Sequence, residues 1–180
     1  AAGAMPDGRL HVTFIDVGEG NATLIETPGG RQVLVDAGGS GRRLRTALGD
    51  ALPFWDRRLD LLILTQPGRA QTAALPDVLA RYRFDAVLHG GVEPLPPELL
   101  SQSPQIIAAR PGAAIRVGDG VSLTVLAAPA EGQSDGGIVL RLEYGDVRVL
   151  LPGDLAAQAE SALVASGADL PAAVLQVPRS

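Results

Sequence analysis

The chain has 180 residues, 46% of them hydrophobic, with no cysteine and a formal net charge of −5. That length predicts one domain over residues 1–180 with a sizeable core. Global disorder, disulfide frameworks, thiolate metal sites and cysteine nucleophiles are excluded, and there is no overall basic field to attract nucleic acid. No apolar run approaches the ~20 residues that cross a bilayer, so the chain reads as a soluble domain, one that a membrane protein can carry. Residues 1–8 read as a cloning scar or linker. All fifteen basic residues are Arg.

In chain order, LHVTFIDVG (10–18), NATLIETPGG (21–30) and RQVLVDAGG (31–39) alternate or run apolar and stop at glycines, which predicts three strands. Their short turns make them antiparallel neighbours. Leu44, Leu48 and Leu52 recur at helical spacing and predict a helix over 41–52. DLLILT (60–65) is continuously apolar, as in a strand buried on both faces. A helix over 74–84, a strand over 85–91, a short helix after Glu93 and a brief strand at QIIAA follow. Two hairpins are predicted next, turning at Gly118-Asp119-Gly120 and at Tyr144-Gly145-Asp146. An Ala-rich helix closed by Gly167 and a last strand, AVLQVP, complete the pattern. Strands interleaved with helices in this order suit two mixed sheets covered by helices rather than a doubly wound sheet.

The ordered motifs carry a resemblance. FIDVGEGNATLIETPGGRQVLVDAG resembles the DVGQGDA opening of ComEC-type domains, followed by a strand, a Gly turn and a strand ending in Asp-Ala-Gly. LDLLILT is similar to the strand that delivers the metal loop, GGIVLRLEYGDVRVLLPGD to the later N-S-V-V-L-R-L hairpin ending in T-G-D, and AVLQVPRS to V-L-K-V-P-H-H-G-S. The resemblance spans residues 9–180 and implies an α/β fold, the αββα four-layer sandwich of metallo-β-lactamase type with mixed sheets. The family continues for several tens of residues past this point, so its C-terminal portion is expected to be lacking.

The same alignment removes the chemistry. The family's H-P-H-A-D-H falls on Gln66, Pro67, Gly68, Arg69, Ala70 and Gln71. Gly and Ala offer no donor atom, and Gln is a poor zinc ligand. Gly136-Gly137 replace the Asn-Ser pair, and Arg179 replaces the His after Val-Pro. Glu19 and Asn21 stand for the family's Gln and Asp. Asp154 alone matches a ligand position. A dinuclear zinc site needs roughly four nitrogen or oxygen ligands per ion, and the chain has two histidines, His11 and His89, neither at a ligand position. His89 reads as a satisfied strand-end residue and His11 as solvent-facing. Asp16 and Asp36 read as turn-bonding aspartates, and Asp154 as a helix N-cap.

No zinc is therefore expected, and the reading leans away from catalysis. Three functions remain open. The first is a non-catalytic DNA-handling or docking module of a ComEC-type DNA-internalisation protein. Its single-stranded DNA phosphates would be met by Arg69 and Arg179. It would be joined to the transmembrane remainder of a bacterial cytoplasmic-membrane protein. The second is a Mg²⁺- or Mn²⁺-dependent phosphodiesterase or nuclease using Asp16, Asp36, Asp135 and Asp154. The third is a purely structural remnant. Residues 42–83 carry eight Arg against four acids, a candidate basic face, but aromatic residues make up only 3%, which gives little support to base stacking.

Overall fold

The structure is a computed structural model that describes residues 5–66, 72–90, 94–129, 137–153 and 174–175. The first three strands are β1 (His11–Ile15), β2 (Ala22–Glu26) and β3 (Gln32–Val35), antiparallel in sequence as predicted. Helix α1 (Gly41–Ala51) then crosses to β4 (Arg58–Leu64). Ser40 caps α1, its hydroxyl accepting from the Arg43 amide at 3.4 Å. Helix α2 (Leu75–Leu79) leads to β5 (Arg83–His89), and α3 (Pro97–Leu100) to β6 (Gln105–Ala108). Strands β3 to β6 pair in parallel, as helical crossovers require. The result is a six-stranded mixed sheet in sequential order.

The second sheet has five strands in the order β11-β10-β9-β8-β7. Its members are β7 (Ala114–Gly118), β8 (Val121–Ala127), β9 (Val139–Tyr144), β10 (Val147–Leu151) and β11 (Val174–Leu175). Both predicted hairpins form, with register intact through the Tyr144/Val147 turn and a bulge near Gly118. Only β11 joins in parallel. The predicted helix that ends at Gly167 lies outside the described residues.

One predicted boundary moves. The apolar spacing at Leu75, Val78, Leu79 and Tyr82 predicts helix through 84, but α2 stops at Leu79. The Arg83 amide instead donates to the Arg57 carbonyl at 2.8 Å, and β5 begins there beside β4. Sheet pairing outcompetes a helix that Pro76 allows only at its start.

Alternation along the strands builds two cores. Leu24, Leu34, Leu62 and Leu64 point to the helices, where Leu44 and Leu48 of α1 and Leu75 and Val78 of α2 meet them. Ile25, Val33, Val35 and Ile63 point the other way, against Leu123, Leu140 and Leu142 of the second sheet. The described residues thus form a helix layer and two stacked sheets.

Among the described residues two polar ties join the sheets. At one end Asp119, in the β7–β8 turn, accepts from the Thr27 hydroxyl at 2.8 Å and the Gly29 amide at 2.9 Å. At the other, Thr65 follows β4 and uses three groups at once. Its amide and hydroxyl donate to the Asp36 carboxylate at 2.8 and 2.6 Å, while its carbonyl accepts from the Ile138 amide at 2.9 Å. Residues 5–8, expected as scar or linker together with 1–4, are exposed. Asp7 accepts from the Arg9 amide, and Pro6 lies close enough to Gly30 that a Cβ there would sit 2.6 Å from Pro6 Cγ.

Thr65→Val keeps the shape and removes one donor from a buried carboxylate, so it is expected to cost about 1–3 kcal/mol. Urea unfolding monitored by circular dichroism measures this, and a cost within error of zero would show the tie to be dispensable.

Candidate functional site

Strands β1 and β3 run the same way, so Asp16 and Asp36 emerge at one end of the first sheet with β2 between them. Thr65 and Gln66 leave β4 at this same end, opposite the loop that enters β9 at Gly137. Any chemistry belonging to the DVG and DAG motifs and to the loop after LILT must assemble at this mouth.

Asp36 is 2% exposed and adopts φ +58°, a left-handed conformation that Asp tolerates. The sequence reading has it bonding its own turn; the structure aims both carboxylate oxygens at Thr65 on the neighbouring strand end. Asp16 behaves as predicted of a turn aspartate, accepting from the Gly18 amide at 3.2 Å. It is exposed and paired with Arg43 at 3.2 Å.

Gln66 is the residue that the sequence resemblance aligns with the first family His. A Cβ placed on Gly137 would lie 2.9 Å from Gln66 Nε2 and 3.0 Å from its Cγ. The two departures from the family pattern are therefore one local arrangement: the amide side chain lies against a backbone that has no side chain to displace. Gly153, at φ +62°, closes on the same spot, where a Cβ would stand 3.2 Å from the Thr65 hydroxyl and 3.1 Å from the Ile138 carbonyl. Gly68, Arg69, Ala70, Gln71, Gly136, Asp135, Asp154 and Arg179 lie outside the described residues.

His89 ends β5 directly beside Leu64, so it shares the helix-covered face of the sheet rather than the face toward the second sheet. It is 8% exposed, and its Nδ1 is buried without a hydrogen-bond partner among the described residues; the reading of a satisfied histidine does not describe it. His11 lies at the far end of the same sheet, exposed, with Nε2 3.0 Å from Asp7. The two imidazoles are thus on different elements at opposite ends of the molecule. Among the described residues no group of three or more His, Asp or Glu is placed to hold a metal ion. The described donor set at the mouth does not fit a dinuclear imidazole centre.

Three of the seven described arginines of the candidate basic face are ion-paired. Arg43 pairs with Asp16, Arg45 with Asp77 at 3.7 Å, and Arg58 with Asp85. Arg81 lies over the Tyr82 ring. Sequence reasoning overlooked Thr65, whose only signal is a hydroxyl residue ending an apolar run, and Gln32, discussed below.

No protein-family model matches the chain, and no curated protein does. Solved structures do. The Rm3 metallo-β-lactamase superposes with a TM-score of 0.62 at 20% identity, over 96% of this chain and 77% of its own. The metallo-β-lactamase fold protein YhfI from Bacillus subtilis gives 0.54 at 16% identity, over 76% of this chain and 55% of its own length. CmlA, a diiron β-hydroxylase from Streptomyces venezuelae, gives 0.59 at 17% identity, over 92% of this chain and 34% of its own. This chain therefore spans little more than half of the Bacillus protein and a third of the hydroxylase.

Gly137→Ala is expected to destabilise by about 1–3 kcal/mol through overpacking, and Gln66→Ala in the same chain to recover most of that loss. A double-mutant cycle in urea measures the coupling; additive effects would show that the two residues do not share the space. A second expectation concerns Glu26. Burial holds its carboxyl above the usual value, partly opposed by His11. Between the ordinary and the raised value the folded state holds the proton more tightly, so stability falls as pH rises through that window. Glu26→Gln should flatten this slope in unfolding curves taken between about pH 4 and 7.

Two stacked sheets with a helix layer, superposing on the Rm3 metallo-β-lactamase over 96% of this chain, give it the metallo-β-lactamase fold.

Proposed function

We propose that this chain is a ComEC-type domain that keeps the metallo-β-lactamase fold without its dinuclear metal chemistry. It serves a DNA-internalisation machine as a DNA-handling or docking module. The observation that carries the reading is the Gln66–Gly137 contact at the mouth: a neutral amide fills the first ligand position and lies on a glycine where the family has Ser. Fold likeness alone would argue for a metal-dependent hydrolase, since the neighbours include a metallo-β-lactamase and a diiron enzyme. Function follows the site rather than the fold, and two histidines in the whole chain cannot supply the imidazoles of such a centre.

Attachment to the transmembrane part of an uptake protein, and single-stranded DNA as the partner, come from the sequence resemblance. Among the described residues no helix is long and apolar enough to cross a membrane. Arg69 and Arg179 enter on the sequence alone, one in the former metal loop and one at a former ligand position. Two guanidiniums there suit bidentate phosphate contacts. The carboxylate-only Mg²⁺ or Mn²⁺ site is less well supported, because Asp36 is committed to Thr65 and Asp16 to Gly18 and Arg43.

The test loads the purified chain with zinc and then manganese, measures bound metal by mass spectrometry, and assays single-stranded DNA for cleavage and binding on the same sample. Metal far below stoichiometry, no cleavage, and salt-sensitive DNA binding weakened about tenfold by Arg69→Ala with Arg179→Ala are expected. Stoichiometric metal with cleavage abolished by Asp154→Ala would overturn the proposal in favour of a carboxylate enzyme. Absence of both metal and DNA binding would leave a structural remnant.

A further inference from the structure

At the end of the first sheet away from the mouth, three polar side chains lie in a row. His11 of β1 pairs with Glu26 of β2, and Glu26 with Gln32 of β3, so all three share the helix-covered face. The end of α1 and the loop after it bring Asp50 and Asp56 over this row, and the segment before β1 brings Asp7 and Arg9. Together they enclose a cleft of about 350 Å³, roughly ten water volumes.

Two acceptors in this cleft lack a donor. Gln32 is 5% exposed; its amide Nε2 donates to Asp56 at 3.0 Å, but its Oε1 is buried with no partner among the described residues. A flipped amide would set oxygen against carboxylate, so the orientation is fixed. Glu26 beside it is half-buried and makes no hydrogen bond or ion pair among the described residues. A buried amide oxygen without a donor is costly, and a partly desolvated carboxylate without a bonded cation adds to that cost. The lining charge is lopsided, with four carboxylates (Asp7, Glu26, Asp50, Asp56) against Arg9 and a histidine already paired with Asp7. The raised proton affinity of Glu26 has the same origin, burial that outweighs the opposing charge of His11.

We propose that this cleft is a binding site for a small organic cation bearing N–H donors, a guanidinium or primary ammonium compound of about ten heavy atoms. Gln32 Oε1 and Glu26 receive its N–H groups, and Asp50 and Asp56 supply the surrounding negative field. A bare metal ion fits less well, since no three ligating His, Asp or Glu converge here among the described residues and the orphaned oxygen asks for a directional donor. The site is independent of the mouth and of the function proposed for it.

Calorimetric titration of the whole 180-residue chain with agmatine tests this. Agmatine carries a guanidinium and an ammonium, and tetramethylammonium serves as a cation of the same sign without donors. Agmatine is expected to saturate at one site with a Kd below about 1 mM and to raise the melting temperature. Glu26→Gln should weaken it at least tenfold, Gln32→Leu several-fold, and the remote Asp85→Asn not at all. If Gln32→Leu fails to fold by circular dichroism, Asp50→Asn on the exposed rim replaces it, with a several-fold loss expected. No saturation below about 10 mM, equal binding of tetramethylammonium, or unchanged affinity in Glu26→Gln would each overturn the proposal.

Discussion

A carboxylate is costly to bury, and Asp36 is buried at the point where the first sheet meets the second. The cost is offset because one residue, Thr65, delivers two donors to it, an amide and a hydroxyl, and hydrogen bonds to an ionised acceptor are the stronger kind. With both donors committed to Asp36, the Thr65 carbonyl is left facing the second sheet, where the Ile138 amide takes it. The position of β9 relative to β4 follows from that chain of three contacts. So does the requirement for glycine at 153, because a side chain there would strike both Thr65 and Ile138. At the mouth, a structural aspartate and a threonine tie the two sheets together.

This arrangement joins the two sheets at the mouth through bonds that involve no metal ion. In a metal centre the ligands themselves cross-link the loops, and their loss leaves like charges and unfilled space. Among the described residues at the mouth, backbone and carboxylate bonds join Asp36, Thr65 and Ile138, and the Gln66 side chain packs on Gly137.

Much of the framework was legible in the sequence because it rests on local periodicity. The three opening strands, α1 and both hairpins follow from alternation, leucine spacing and Gly-containing turns within a few residues. The extent of α2 was not legible, since its last turn lost residues 83–84 to pairing with a strand more than twenty positions away. The contact of Gln66 with Gly137 links residues about seventy apart; only a resemblance that aligned both could flag them, and even then as two separate losses. Asp36 looked like an ordinary turn aspartate because sequence gives no sign of whether a carboxylate serves its own loop or the next strand. Gln32 gave no signal at all: a polar residue opening an apolar strand is commonplace, and its significance depends on what α1 places above it.

The sheets are tied at opposite ends, by Asp119 to Thr27 and Gly29 and by Thr65 to Ile138. Two anchors that far apart remove the sliding freedom that a single one would leave. Motions of packed layers are usually shear or hinge displacements, and shear between these sheets would have to break the buried Thr65–Ile138 bond and the more exposed Asp119 bonds. Adaptation to a bound molecule therefore belongs to the connecting loops, with the β-sandwich itself acting as a rigid frame.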